Sequence, residues 1–152
     1  MDISIVIPLL NEQNSLEELS SSVSSVINDL KLEFEIILID DGSTDNSWKI
    51  ISKICSSNKN IKAIRFLKNF GKSQALSAGF KACNGDVVIT MDADLQDDPN
   101  EIPELYKKIS EENFDLVSGW KKVRYDSIIF KNFPSKIFNW AARTTSGIKL
   151  ND

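Results

Sequence analysis

The sequence predicts an α/β domain built on a doubly wound, mostly parallel sheet with flanking helices. Three observations predict it. Short apolar runs alternate with amphipathic stretches of roughly three turns, in the order βαβαβαβαβ. The runs are apolar almost throughout, as strands are when helices cover both faces of a sheet. The 152 residues, 41% hydrophobic and 26% charged, make one domain with room for a single core.

Each element follows from its residues. Ile3–Leu9 is rich in β-branched side chains and reads as a buried strand. Ser15–Leu30 reads as a helix, because Leu16, Leu19, Val23, Val26, Ile27 and Leu30 recur at spacings of three and four. Ser15 is its expected N-cap, with Glu18 closing a capping box. Phe34–Ile39 is a second buried strand. Asp40–Asp45 reads as a turn, and Asp45 stands where it can cap a helix running through Ser56. Ile61–Leu67 is the third strand. Asn69-Phe70-Gly71 opens a helix over Lys72–Ala82, Asn84-Gly85 is a turn, and Asp86–Met91 is the fourth strand. Pro99–Ser110 is a helix started by Asp98, and Phe114–Ser118 is a fifth strand. In sheets of this kind ligands sit beyond the carboxyl ends of the strands.

The pattern changes after residue 120. Ile129, Phe133, Ile137, Trp140 and Ala141 fall near helical spacing, with Lys131, Lys136 and Arg143 between them and Pro134 interrupting. Such a basic, aromatic segment either packs on protein or lies in a membrane interface. Residues 1–120 carry 11 Lys/Arg against 20 Asp/Glu, and residues 121–152 carry 7 against 2. The division predicted is a core over 1–120 and a basic amphipathic segment over 121–152.

Composition excludes several classes. The net charge of −4 argues against a dedicated nucleic-acid binder. The chain has no histidine, which removes His-dependent triads and zincins. Cys55 and Cys83 lack metal-ligand spacing and read as free thiols of a reducing compartment. No apolar run approaches the ~20 residues of a membrane span. The N-terminus has no signal-peptide pattern, which points to the cytoplasm. No Gly-x-Gly-x-x-Gly is present. Gly71-Lys72-Ser73 resembles the end of a P-loop, but the first glycine of that motif falls on Phe66. Lys72, at a helix start, can still touch a phosphate, but its first reading is a surface lysine.

The acids cluster at strand ends. Asp92 and Asp94 follow the fourth strand in an Asp-x-Asp pattern, and two carboxylates on one irregular turn can reach a hard cation such as Mg²⁺ or Mn²⁺. Gln96 can add an amide oxygen. An EF-hand starting at Asp92 fails, because its sixth position is Asp97 and its twelfth Pro103.

Four segments in order, Val6-Ile7-Pro8-Leu9-Leu10-Asn11-Glu12, Ile39-Asp40-Asp41-Gly42-Ser43-Thr44-Asp45, Asn69-Phe70-Gly71-Lys72 and Met91-Asp92-Ala93-Asp94-Leu95-Gln96, resemble the family 2 glycosyltransferases of GT-A fold. Asp94–Pro99 and the tail Ser146–Asp152 are similar to the polyprenyl-phosphate glycosyltransferases, the group that includes dolichyl-phosphate mannose synthase and the bactoprenol glucosyltransferases. The resemblance covers essentially the whole chain. It implies an inverting, metal-dependent transfer of a sugar from a UDP- or GDP-linked donor to a polyprenyl phosphate. The alternatives are a saccharide acceptor, or a donor-binding module without turnover. By the same resemblance Pro8, Asn11, Glu12, Asp40, Asp41 and Asp92 bind donor, and Asp92, Asp94 and Gln96 serve the metal. Asp94 and Asp152 act in catalysis, and Lys121 and Arg124 meet acceptor phosphate. Leu10 stands where many relatives have an aromatic residue. The chain then reads as the N-terminal catalytic fragment of a longer membrane-anchored protein at the cytoplasmic face, touching the membrane surface, with self-association left open and no nucleic-acid partner.

Overall fold

The computed structural model describes residues 1–112 and 114–119. A compact unit runs Met1–Val117, and 118–152 form a second. In chain order the elements are β1 (Ile3–Leu9), α1 (Leu16–Asp29), β2 (Phe34–Asp40), α2 (Ser47–Ser57), β3 (Ile61–Arg65), α3 (Lys72–Ala82), β4 (Val87–Thr90), a 3₁₀ turn (Pro99–Glu101) and α4 (Ile102–Ser110). The sheet is parallel throughout, in the order β3-β2-β1-β4.

That order explains which helix covers which face. From β1 the chain steps to β2 and β3 in one direction, then returns past β1 to place β4. Right-handed crossovers put helices on opposite faces when the direction reverses. Accordingly, α1, α2 and α4 bury Leu16, Leu19, Val23, Ile27, Ile51 and Ile102 against Ile3, Ile5 and Ile7 of β1 and Ile36 and Leu38 of β2. Among the described residues, helix α3 alone covers the other face, packing Ala75 against Val6, Ile37 and Ile39. Every residue of β1 and β2 is buried, as two covered faces require.

Pro8 sits in a central strand without breaking it. The Met91 N–H to the Val6 carbonyl (3.1 Å) is the last rung on the β4 side. Two residues on, Pro8 faces that same side, where the ladder has ended and no N–H is needed. The β1–β2 register continues to Leu9 opposite Asp40. The sheet is therefore notched beside Pro8.

Two expectations fail. Phe114–Ser118 forms no strand; the Phe114 N–H turns back to the Lys108 carbonyl (3.3 Å), and Phe114 and Leu116 are exposed. A short apolar run becomes a strand only where an edge pairs with it, and among the described residues β4 pairs with β1 alone. The capping box also fails. Ser15 is the N-cap, but its hydroxyl donates to the Glu12 carbonyl (3.1 Å) and lies 3.3 Å from Glu12 Oε2. Smaller differences are confined to element ends: β3 stops at Arg65, and Pro99–Glu101 is a 3₁₀ turn rather than α-helix.

Candidate active site

The strand order reverses between β1 and β4, and a cavity of about 300 Å³ opens there beyond their carboxyl ends. Pro8, Leu9 and Leu10 from β1 and its following loop, with Ala75 of α3, supply its apolar wall. Glu12, Asp41, Asn69, Lys72, Asp92 and Asp94 supply its polar one. This is the crevice that the topology dictates.

Two loops are tied together to form it. The Asn11 N–H donates to Ser43 Oγ (2.8 Å), that of Glu12 to Ser47 Oγ (2.9 Å) and that of Gln13 to Asp45 Oδ2 (3.2 Å). In return Asn11 Oδ1 accepts the Thr44 N–H (2.8 Å). Asn11 holds φ at +59°, a left-handed conformation that asparagine tolerates better than most side chains. The chain can thus turn sharply after β1 while the Asn11 side chain clamps the loop after β2. Asp45 Oδ1 accepts the Ser47 N–H (2.9 Å) at the start of α2. Burial pushes the Asp45 carboxyl up, but bonds from Ser47 and the Gln13 backbone outweigh it, so its pKa lies below the usual value.

The neighbouring aspartates divide their tasks. Asp40 is fully buried and outside the cavity lining. Its Oδ1 accepts the Ser43 N–H (2.8 Å). Its Oδ2 makes no hydrogen bond and lies 3.6 Å from Arg65 Nε, while the Arg65 guanidinium stacks over Trp48 at 5.2 Å. Asp41 lines the cavity, and its two oxygens accept the N–H groups of Phe70 (2.8 Å) and Gly71 (2.9 Å). Gly71 has φ +93°, which favours glycine at this turn into α3.

Asp92 and Asp94 reach the cavity from the loop after β4. The Asp92 N–H donates to Asp97 Oδ2 (2.8 Å), and Asp94 Oδ1 accepts the Gln96 N–H (3.1 Å). Between them Leu95 is held at φ +62°, a strained conformation for a branched aliphatic residue. Gln96 is exposed and outside the cavity lining. Among the described residues no three carboxylate, thiol or imidazole groups converge on a cation position. Two carboxylates fit Mg²⁺ or Mn²⁺, which bind through one or two protein carboxylates and take their other ligands from phosphate oxygens and water.

The structure thus brings Pro8, Glu12, Asp41, Asp92 and Asp94 to one cavity. Asn11, Asp40 and Gln96 do not line it. Lys121, Arg124, Asp152 and the amphipathic stretch over 129–141 lie outside the described residues. Lys72, read first as a surface lysine, is indeed exposed, and it also lines the cavity and pairs with Asp92 Oδ1. Its spacing from Gly71 fitted no phosphate motif, and only the winding of the sheet brings it beside β4. Cys55 and Cys83 are free, half-buried thiols, both pushed up by burial, and neither lines the cavity. Among the described residues no helix is long and apolar enough to cross a membrane.

Comparison with known proteins follows the same line. The family model described as "Glycosyl transferase family 2" matches residues 4–151. An undecaprenyl-phosphate 4-deoxy-4-formamido-L-arabinose transferase of Pseudomonas fluorescens is 41% identical over 151 residues, covering 99% of this chain and 44% of that protein. The chain thus spans less than half the length of this curated relative. Among solved structures, glucosyl-3-phosphoglycerate synthase from Mycobacterium tuberculosis, in complex with Mn²⁺, UDP and phosphoglyceric acid, matches with a TM-score of 0.56 and 29% identity. The match covers 71% of this chain and 38% of that one. The mannosyltransferase PcManGT from Pyrobaculum calidifontis, in complex with GDP-Man and Mn²⁺, matches in fold with a TM-score of 0.60 and 19% identity, over 72% of this chain and 32% of that one.

Proposed function

The chain belongs to glycosyl transferase family 2, and from that premise we propose that it is the donor-binding, catalytic part of an inverting transferase that moves a sugar from a nucleoside diphosphate to a polyprenyl phosphate. The observation that carries this reading is the pairing of Asp92 and Asp94 at a cavity of about 300 Å³ on the switch point of the sheet. That volume is at the lower end of small-molecule sites. The relatives named as undecaprenyl-phosphate sugar transferases support the acceptor class.

Pro8, Leu9 and Ala75 offer the nucleoside an apolar wall, and Asp41 keeps the opposite wall in shape through the Phe70 and Gly71 amides. Asp92 and Asp94 at the cavity, with the Gln96 amide from the same loop, would hold Mg²⁺ or Mn²⁺ for the diphosphate. When bound there, such an ion would supply positive charge to offset the negative charge developing on the leaving diphosphate. An acceptor phosphate oxygen attacks the anomeric carbon on the face opposite the diphosphate. The bond from that carbon to the diphosphate oxygen breaks, and the nucleoside diphosphate departs with the electron pair. The acceptor phosphate, with a second pKa of roughly 6 by analogy with phosphorylated side chains, is already ionised at neutral pH. No side-chain base is then needed, which suits a chain without histidine. Lys121 and Arg124 serve the acceptor phosphate, and Asp152 orients a substrate. In the whole protein the reaction runs at the cytoplasmic face of the membrane, whose surface the segment over 121–152 meets.

Calorimetric titration with UDP-glucose and GDP-mannose, with and without Mn²⁺, tests this reading. Metal-dependent binding of one donor is expected and names the base. Binding of neither by the folded chain overturns the reading for this part of the protein.

A further inference from the structure

Among the described residues Lys72 is the only cationic side chain lining the cavity, which it shares with the carboxylates of Glu12, Asp41, Asp92 and Asp94. It is the first residue of α3, where the helix dipole disfavours a cation. What holds it there is Asp92 Oδ1. The other carboxylates are differently engaged. Asp41 is taken by the Phe70 and Gly71 amides, Asp94 accepts from the Gln96 N–H, and Glu12 Oε2 lies near the Ser15 hydroxyl. Lys72 has thus settled on a carboxylate assigned above to the divalent ion.

A divalent ion needs Asp92 oxygen as a close ligand, so it competes with the ammonium. A displaced lysine needs another anion. Its long, flexible stem and compact charge let it swing within the cavity, and a diphosphate is the anion the cavity is proposed to take. Resting on the transferase reading, we infer that Lys72 is an exchangeable counter-cation. It neutralises Asp92 in the nucleotide-free chain and yields Asp92 to the divalent ion as an incoming diphosphate takes over the ammonium. Metal and nucleotide then bind cooperatively, each poorly without the other.

The test compares the chain with Lys72→Met, Lys72→Gln and Lys72→Arg. Each is titrated with Mn²⁺ alone and with Mn²⁺ plus UDP or GDP, free Mn²⁺ being followed by electron paramagnetic resonance. Both neutral variants are expected to bind Mn²⁺ alone about two- to five-fold more tightly, the range an ion pair this exposed supports. They are also expected to lose most of the tightening that nucleotide brings to the unsubstituted chain. Lys72→Arg, which keeps the charge, is expected to retain that tightening. Unchanged or weaker Mn²⁺ binding by folded neutral variants overturns the exchange. If the unsubstituted chain meanwhile shows nucleotide-dependent Mn²⁺ binding, the transferase reading stands without it. Absence of Mn²⁺ uptake by the unsubstituted chain with either nucleotide overturns both.

Discussion

The Asp41 carboxylate grips the backbone of Gly71 at 2.9 Å with one oxygen and that of Phe70 at 2.8 Å with the other. This fastens the turn into α3 to the end of β2. Asp41 is nearly fully buried, so the carboxylate has little water to replace these bonds. Asp41→Ala should lower stability by about 2–3 kcal/mol, the cost of leaving charge-assisted bonds unmade. It should also weaken nucleotide binding, because Asn69, Gly71 and Lys72 lose their anchor. Asp41→Asn keeps one acceptor and should fall between. Urea unfolding read beside donor titration separates the two effects.

Asp94 is exposed, and its one described bond is the local contact to the Gln96 N–H. Asp94→Asn should leave the unfolding free energy within about 0.5 kcal/mol. Mn²⁺-dependent nucleotide affinity should fall at least about ten-fold, since Mg²⁺ and Mn²⁺ sites of this type rest on one or two carboxylates. Full retention of metal dependence would remove Asp94 from the metal set.

At the opposite end of the sheet Glu35 is buried among Ser4 Oγ (2.7 Å), Lys62 Nζ (2.6 Å) and the Asn84 N–H (2.6 Å). Burial pushes its carboxyl up, but Lys62, Ser4 and Asn84 outweigh it and bring its pKa down to about 2. A carboxyl depressed on folding stabilises fully above its unfolded pKa of 4.5 and loses that stabilisation as pH falls toward about 2. The shift corresponds to about 3 kcal/mol. Glu35→Gln should therefore be less stable than the unsubstituted chain at pH 6 and close to it near pH 2. Guanidinium titrations at both pH values check the crossover.

A Cβ on Gly79 would lie 2.4 Å from Val6 Cγ1 and 3.0 Å from Ile39 Cδ1. Val6 is β-branched and fixed in β1, so it cannot swing away. Overpacking costs about 1–3 kcal/mol, against a helix-propensity gain of about 1 kcal/mol for Gly→Ala. Gly79→Ala should lower Tm, and adding Val6→Ala should restore part of the loss beyond additivity.

The strands and helices were legible where a residue's environment follows from its neighbours in sequence. Ile3–Leu9 and Lys72–Ala82 match the observed β1 and α3 residue for residue, because apolar runs and a glycine-led turn mark them locally. Phe114–Ser118 misled because an apolar run carries no information about whether an edge waits for it. The pairing of Lys72 was not legible for a related reason: its partner Asp92 is twenty residues away, and only the return crossover through α3 joins them. Asp40 and Asp41 look equivalent in sequence, yet the two-residue period of β2 sends one beneath the loop and leaves the other at the cavity. The short hydrogen-bonding side chains of Ser43-Thr44-Asp45-Asn46-Ser47 were a signal of a structured loop, although its clamp on Asn11 was not readable from spacing.

The return of the chain to place β4 beside β1 also governs the order in which the molecule can assemble. Ile3 pairs with Phe34 on one side and with Val87 on the other. During synthesis β1, β2 and β3 emerge before β4 exists, so β1 waits as an open edge carrying Ile3, Ile5, Val6 and Ile7. Unpaired apolar edges of this kind are where nascent chains meet wrong partners. The notch beside Pro8 takes its final form only after Met91 has bonded to Val6. The active site is therefore among the last features of this unit to form.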